Sequence, residues 1–163
     1  MKRILITTGI FPPDIGGPAT YAELIAKALS ERGFDVRVIT YSFPWRYQND
    51  KHLSFKVTRI WKKNLWFFRH AIYATKIFFA SHKSDIIYSL STLNGSIPSL
   101  ISSVVFRKKF YIRIAGDYAW QIAAEKKKSS LLINDFQVSK KNGWIKFLYW
   151  LQALLCKKAD QVI

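Results

Sequence analysis

At 163 residues the chain fits one domain, and with half of its residues hydrophobic it can bury a real core. Lys and Arg number 26 against 10 Asp and Glu, a net charge of +16 that calls for anionic partners such as phosphates, a membrane surface or nucleic acid. A single cysteine, Cys156, excludes an internal disulfide, and His52, His70 and His82 share no metal-ligand spacing, so disulfide scaffolds and zinc modules are set aside.

The apolar run from Ile4 stops hard at Pro12-Pro13, because proline has no N–H to give a sheet, and reads as a buried first strand. Gly16-Gly17 then allows a sharp turn with no Cβ in the way. Pro18 suits the start of a helix, whose apolar face is read at Tyr21, Leu24, Ile25, Ala28 and Leu29. A glycine turn feeding a helix N-terminus can receive an anion, which makes Gly16 and Gly17 candidate phosphate ligands. The competing reading is an ordinary strand-turn-helix that binds nothing, since neither G-x-G-x-x-G nor the P-loop lysine is present.

Further along, Gly33 is a helix stop, Asp35 to Tyr41 a second strand, Ser42 to Lys51 a polar and aromatic loop, and Leu53 to Ile60 a third strand. A helix is expected over Leu65 to Ser81, a strand over Asp85 to Leu90, a helix over Ser96 to Phe106 and a strand over Lys109 to Ala115. An amphipathic helix covers Gly143 to Lys158 with apolar positions Trp144, Phe147, Leu148, Leu151, Leu154 and Leu155, and places Cys156 in the core. Gln161 to Ile163 opens a sixth strand. This alternation predicts an α/β fold, a doubly wound Rossmann-like parallel sheet with helices on both faces. Ligands of such sheets collect beyond the carboxyl ends of the strands, so the loops 12–17, 91–95 and 116–120 form the candidate site.

The last of these loops carries Arg113, Asp117 and Trp120. Asp117 can accept a sugar hydroxyl and Trp120 can stack on a sugar face; alternatively Asp117 caps the next helix while Trp120 packs the core. Arg113 can equally join a structural salt bridge. Lys62, Trp66, Arg69, Tyr73 and Lys76 recur at spacings of four and three and predict a basic-aromatic stripe on one helix face, with Leu65, Phe68, Ile72 and Phe79 on another. Basic side chains interleaved with Trp and Tyr suit an anionic membrane surface, a reading strengthened by the basic runs 107–109, 126–128, 140–141 and 157–158. An ordinary solvated surface is the bland alternative. Single-stranded nucleic acid is the other polyanion to weigh, but no helix-turn-helix, zinc finger or RNP motif is present and the charge is scattered.

The run FPPDIGGPATYAE, Phe11 to Glu23, resembles the opening of glycosyltransferase family 4, retaining sugar transferases of the two-domain GT-B fold. The resemblance is specific over these residues, looser along the rest, and covers the N-terminal domain alone. It implies transfer of a sugar from a nucleotide-sugar to a lipid-linked or polysaccharide acceptor, without metal or other cofactor. It assigns Gly16 and Gly17 to the donor diphosphate, Asp117 to the catalytic side, and Arg113, Trp120 and Asn94 to the acceptor. The family's histidine-bearing strand end is replaced here by Gly116-Asp117. Glu23 and Glu31 match the family's E-x7-E spacing by chance, since that pair belongs to the C-terminal domain. The expectation is therefore a single N-terminal, acceptor-side domain over residues 1–163, truncated, without its donor-binding domain and inactive without it. It would lie in the cytoplasm at the inner face of the membrane. The alternative is a non-catalytic, membrane-bound subunit that pairs with a separate C-terminal GT-B domain.

Overall fold

The computed structural model describes residues 1–44, 46–125, 132–139 and 142–163; the basic runs 126–128 and 140–141 lie outside them. Six strands, β1 Arg3–Thr8, β2 Asp35–Ser42, β3 Lys56–Trp61, β4 Ile86–Ser89, β5 Lys109–Ile112 and β6 Gln161–Val162, form one sheet in the order β3-β2-β1-β4-β5-β6. Every pairing is parallel. The helices are α1 Gly17–Glu31, α2 Trp66–His82, α3 Ser96–Phe106, α4 Tyr118–Glu125, α5 Ile133–Val138 and α6 Gly143–Lys158, with a short 3-10 turn at Gln48–His52. The doubly wound α/β architecture is thus as the sequence pattern predicts. Two short helices, α4 and α5, were not anticipated, and β3 begins three residues later than expected.

Strand alternation sorts the core into two layers. Ile4, Ile6, Val36, Val38 and Tyr88 face α1, while Leu5, Ile39, Ile87, Phe110 and Ile112 face the layer of α2 to α6. On α1 the buried positions are Ala19, Ala22 and Ala26, not the larger residues that periodicity favoured; Leu24 is exposed. Alanines bring the helix axis close to the sheet, and the bulkier Ile25 and Leu29 pack at its flanks. The helix ends as Gly33 requires: at φ 82° it lets Gly33 N–H donate to Ser30 O and Phe34 N–H to Leu29 O, capping the last carbonyls.

On α2 burial does not follow the two predicted stripes. Tyr73, placed in the basic-aromatic stripe, is a core residue at 1% exposure, alongside Ile77 and Ala80. The other stripe, Leu65, Phe68, Ile72 and Phe79, is exposed. The helix is apolar on most sides, so periodicity alone does not choose its buried face; the hydroxyl of Tyr73 does. It donates to Thr8 O at 2.9 Å, the carbonyl that ends β1, and so places its own buried hydroxyl on a backbone acceptor. On α6 likewise, Ile145, Leu148 and Leu155 are buried, whereas Trp144 and Phe147, expected inside, are exposed. Cys156 is half-buried, and burial pushes its thiol pKa up. Replacing Tyr73 by Phe should lower the unfolding free energy by about 1 kcal/mol in urea titration, since it removes a buried hydrogen bond to the Thr8 carbonyl.

Candidate site at the carboxyl edge of the sheet

From β1 the chain winds one way through β2 and β3, then returns past β1 to β4 and winds the other way. Between β1 and β4 lies the switch point, where the two connections leave in opposite directions and open a crevice. The loops after β1 and β4 meet there. A Cβ on Gly9 would lie 3.7 Å from Ser91 Oγ, and one on Gly95 would lie 3.1 Å from Ser91 and 3.2 Å from the Tyr73 hydroxyl. Beneath them the hydroxyls of Thr7, Ser89, Ser96 and Ser99 bond to one another in a buried cluster. Thr7 and Ser89 are register partners on β1 and β4, so polar side chains replace aliphatic ones at the mouth of the crevice.

The β1–α1 loop is held from one side by two cations. Arg59, its side chain 2% exposed, donates to both carboxylate oxygens of Asp50, to Ser42 Oγ and to Pro12 O. Its guanidinium also lies over the rings of Phe11 and Tyr47. Lys62, predicted to face a membrane, instead bonds Asp14 at 2.6 Å and sits over Phe43. Arg69 turns back to Lys62 O and the Tyr41 ring. Beside it, His70 Nδ1 lies 2.8 Å from the Tyr41 hydroxyl; desolvation, and then Arg69, lower the His70 pKa. Of the predicted stripe only Trp66 and Lys76 are exposed.

The glycine turn carries fewer free donors than its pattern implies. Gly16 (φ 150°, ψ 153°) accepts from Ala19 N and Thr20 N, and Pro18 has no N–H to offer. Among the described residues this leaves the N–H groups of Gly16 and Gly17 at the mouth of the turn without an acceptor. A Cβ at Gly17 would meet nothing within 4 Å, so its missing side chain keeps open space rather than relieving a clash.

The acceptor residues predicted after β4 and β5 divide between the two faces of the sheet. Asn94 is exposed on the loop after β4. Arg113 lies toward α1, its guanidinium carbon 3.8 Å from the centroid of the Tyr21 ring. Trp120 packs against the core under α2 to α6. Asp117, 9% exposed, accepts from Trp120 N at 2.9 Å as the cap of α4, and from the Tyr149 hydroxyl of α6. Burial, and then this bond, push the Tyr149 pKa up. The capping arrangement is one of the two open to Asp117 in the sequence. What sequence reasoning missed was the pinning role of Arg59 and the contact of Tyr21 with Arg113; an arginine within an edge strand gives no sign of its partners. Arg59→Met should cost at least about 2 kcal/mol in urea unfolding, because four bonds from one buried cation disappear and Asp50 loses its partner.

No family model matches the chain, and no curated relative does either. Solved structures do. Anabaena HepE in complex with UDP and glucose superposes with a TM-score of 0.60 at 15% identity, over 99% of this chain and 38% of that one. A UDP-N-acetylglucosamine 2-epimerase from Listeria monocytogenes, so described as putative, gives 0.54 at 13%, over 100% and 39%. The corresponding epimerase from Methanocaldococcus jannaschii gives 0.52 at 12%, over 100% and 39%. The chain therefore spans about two-fifths of the length of these structures, with which it shares the α/β, Rossmann-like fold.

Proposed function

We propose that this chain is the N-terminal, acceptor-side domain of a retaining glycosyltransferase resembling family 4. It works with a second, donor-binding domain to move a sugar from a nucleotide-sugar to a lipid-linked or polysaccharide acceptor. The observation that carries the reading is the glycine turn itself: two unpaired backbone N–H groups at the switch-point crevice, on a loop fixed by Arg59 and Lys62 before any ligand arrives. Donors already aimed at a departing diphosphate need no rearrangement as charge develops on it, which is the efficient form of electrostatic stabilisation. The likeness to HepE, whose structure holds UDP and glucose, supports a nucleotide-sugar as the donor. Asp117 serves the reading as the residue that fixes the start of α4 behind Arg113. No metal or organic cofactor enters this scheme.

The same reading places the domain at the inner face of a membrane. Among the described residues no helix is long and apolar enough to cross a bilayer. The outward sides of α2, α3 and α6 nevertheless expose Trp66, Phe67, Phe79, Val104, Trp144 and Trp150, with Lys76 and Lys146 among them and Lys63 just before α2. Apolar side chains of this size immersed at the headgroup level, flanked by lysines each worth about 1 kcal/mol near anionic lipid, suffice for peripheral attachment.

Two experiments test these statements. In 15N spectra, millimolar UDP-glucose should shift the Gly16 and Gly17 amides. Gly17→Ala should leave the fold intact but weaken binding at least about tenfold, by setting a methyl where the diphosphate must approach. Unmoved amides would remove the transferase reading. In co-sedimentation, the protein should bind anionic but not neutral vesicles, release with rising salt, and lose most binding in the double variant Trp66→Ser, Phe67→Ser. Indifference to lipid together with tight binding of single-stranded RNA would reassign the charge to nucleic acid.

A further inference from the structure

On the α1 side of the sheet, where β5 ends, Arg113 and three tyrosines come together. Tyr88 and Tyr111 are register partners on β4 and β5, and Arg113 lies two residues beyond Tyr111, hence on the same face. Tyr21 of α1 roofs them. Its hydroxyl lies 3.1 Å from that of the buried Tyr88, and its ring lies under the Arg113 guanidinium at 3.8 Å. The Arg113 backbone is tied as well, its N–H donating to Ser89 O at 2.9 Å.

The guanidinium is thus fixed by its face while its edge is unused. Among the described residues, no carboxylate, carbonyl or hydroxyl accepts from the side chain of Arg113, in contrast to the four bonds made by Arg59. A half-buried cation oriented by stacking, with its planar fork of donors free, matches the two oxygens of a phosphate or a carboxylate. Tyr21 sits one turn of α1 beyond Gly17, roughly 6 Å along the helix axis, a separation comparable to the width of a hexose.

We propose that Arg113, stacked on Tyr21 and steadied through Tyr88, is a subsite for an oxyanion carried by the acceptor. The acceptor is then a phosphate-bearing or acidic saccharide and not a neutral glycan. The word acceptor rests on the transferase reading above; the anion subsite itself rests on the side-chain geometry. The glycine turn and Arg113 would then hold two different anions, the donor diphosphate and the acceptor's acidic group, on either side of the sugar in transit.

The test is a titration of the 15N-labelled protein at low salt, following the Nε–Hε signal of Arg113. Three probes are used: a hexose 1-phosphate, a hexuronic acid and a neutral methyl hexoside. The phosphate or the carboxylate probe should shift that signal saturably while the neutral glycoside leaves it in place, and the tighter of the two acids identifies the source of the anion. Arg113→Gln should weaken the acid's binding at least tenfold. Arg113→Lys should recover part of it, since it restores charge without the fork, and Tyr21→Leu should weaken it by freeing the guanidinium. Equal binding of the neutral glycoside, unchanged affinity in Arg113→Gln, or no saturable shift with either acid would overturn the subsite. UDP-glucose read at Gly16 and Gly17 in the same spectra separates the two failures: silence there removes the transferase reading, and silence at Arg113 removes the subsite alone.

Discussion

The guanidinium of Arg59 is the interaction on which the arrangement at the carboxyl edge depends. It is almost wholly buried and joins β3, on one border of the sheet, to the end of β2 through Ser42, to the 3-10 turn through Asp50 and to the β1–α1 loop through Pro12. A buried charge is costly unless its donors are taken, and here a bidentate carboxylate and two further oxygens take them. Lys62 repeats the arrangement three residues later with Asp14. The glycine turn, which has almost no side chains to hold it, is therefore positioned from outside by cations that never reach the crevice. Chemistry at such a turn inherits its precision from those neighbours.

A second constraint works at the centre of the sheet. β1 pairs with β2 on one side and β4 on the other and stops at Thr8, while β2 runs on to Ser42. The Tyr73 hydroxyl donates to the Thr8 carbonyl at that end, and Gly95 leaves the room that this hydroxyl needs. Helix α2 is thereby fastened to the crevice by its polar atom as much as by its apolar face. The two loops that meet at Ser91 and Gly9 are held together by this contact and by the hydroxyl cluster beneath them.

Much of the architecture was legible because it depends on local signals. Proline after an apolar run, glycine after a helix and apolar residues at regular spacing each have a physical meaning that survives without neighbours. Gly16-Gly17 and Gly33 were read from such signals, as were the bounds of α3 and α6. The faces of α1, α2 and α6 were less legible, because each helix carries more apolar residues than it can bury. Small residues won on α1, where the helix must approach the sheet closely, and a hydroxyl decided α2. The candidate site was legible as a set of loops but not as a set of contacts. Arg113 and Trp120, seven residues apart, were grouped together, yet the chain turns between them and sends them to opposite sides of the sheet. Lys62 looked like part of a surface stripe because its carboxylate partner lies 48 residues earlier in the chain.

The outward layer of α2, α3 and α6 has a consequence for the protein in free solution. A surface with this much exposed aromatic and aliphatic area would ordinarily drive copies of a chain together. A net charge of +16 opposes that, because two copies approaching by these faces bring their fields into register before any apolar contact forms. The charge acts as a colloidal stabiliser as well as a lure for anions. The balance is set by ionic strength: when counter-ions shorten the reach of the field, the same helices become sticky toward one another. Solubility and the proposed membrane attachment are then two outcomes of one electrostatic setting, decided by whether the neutralising charge arrives as small ions or as a surface.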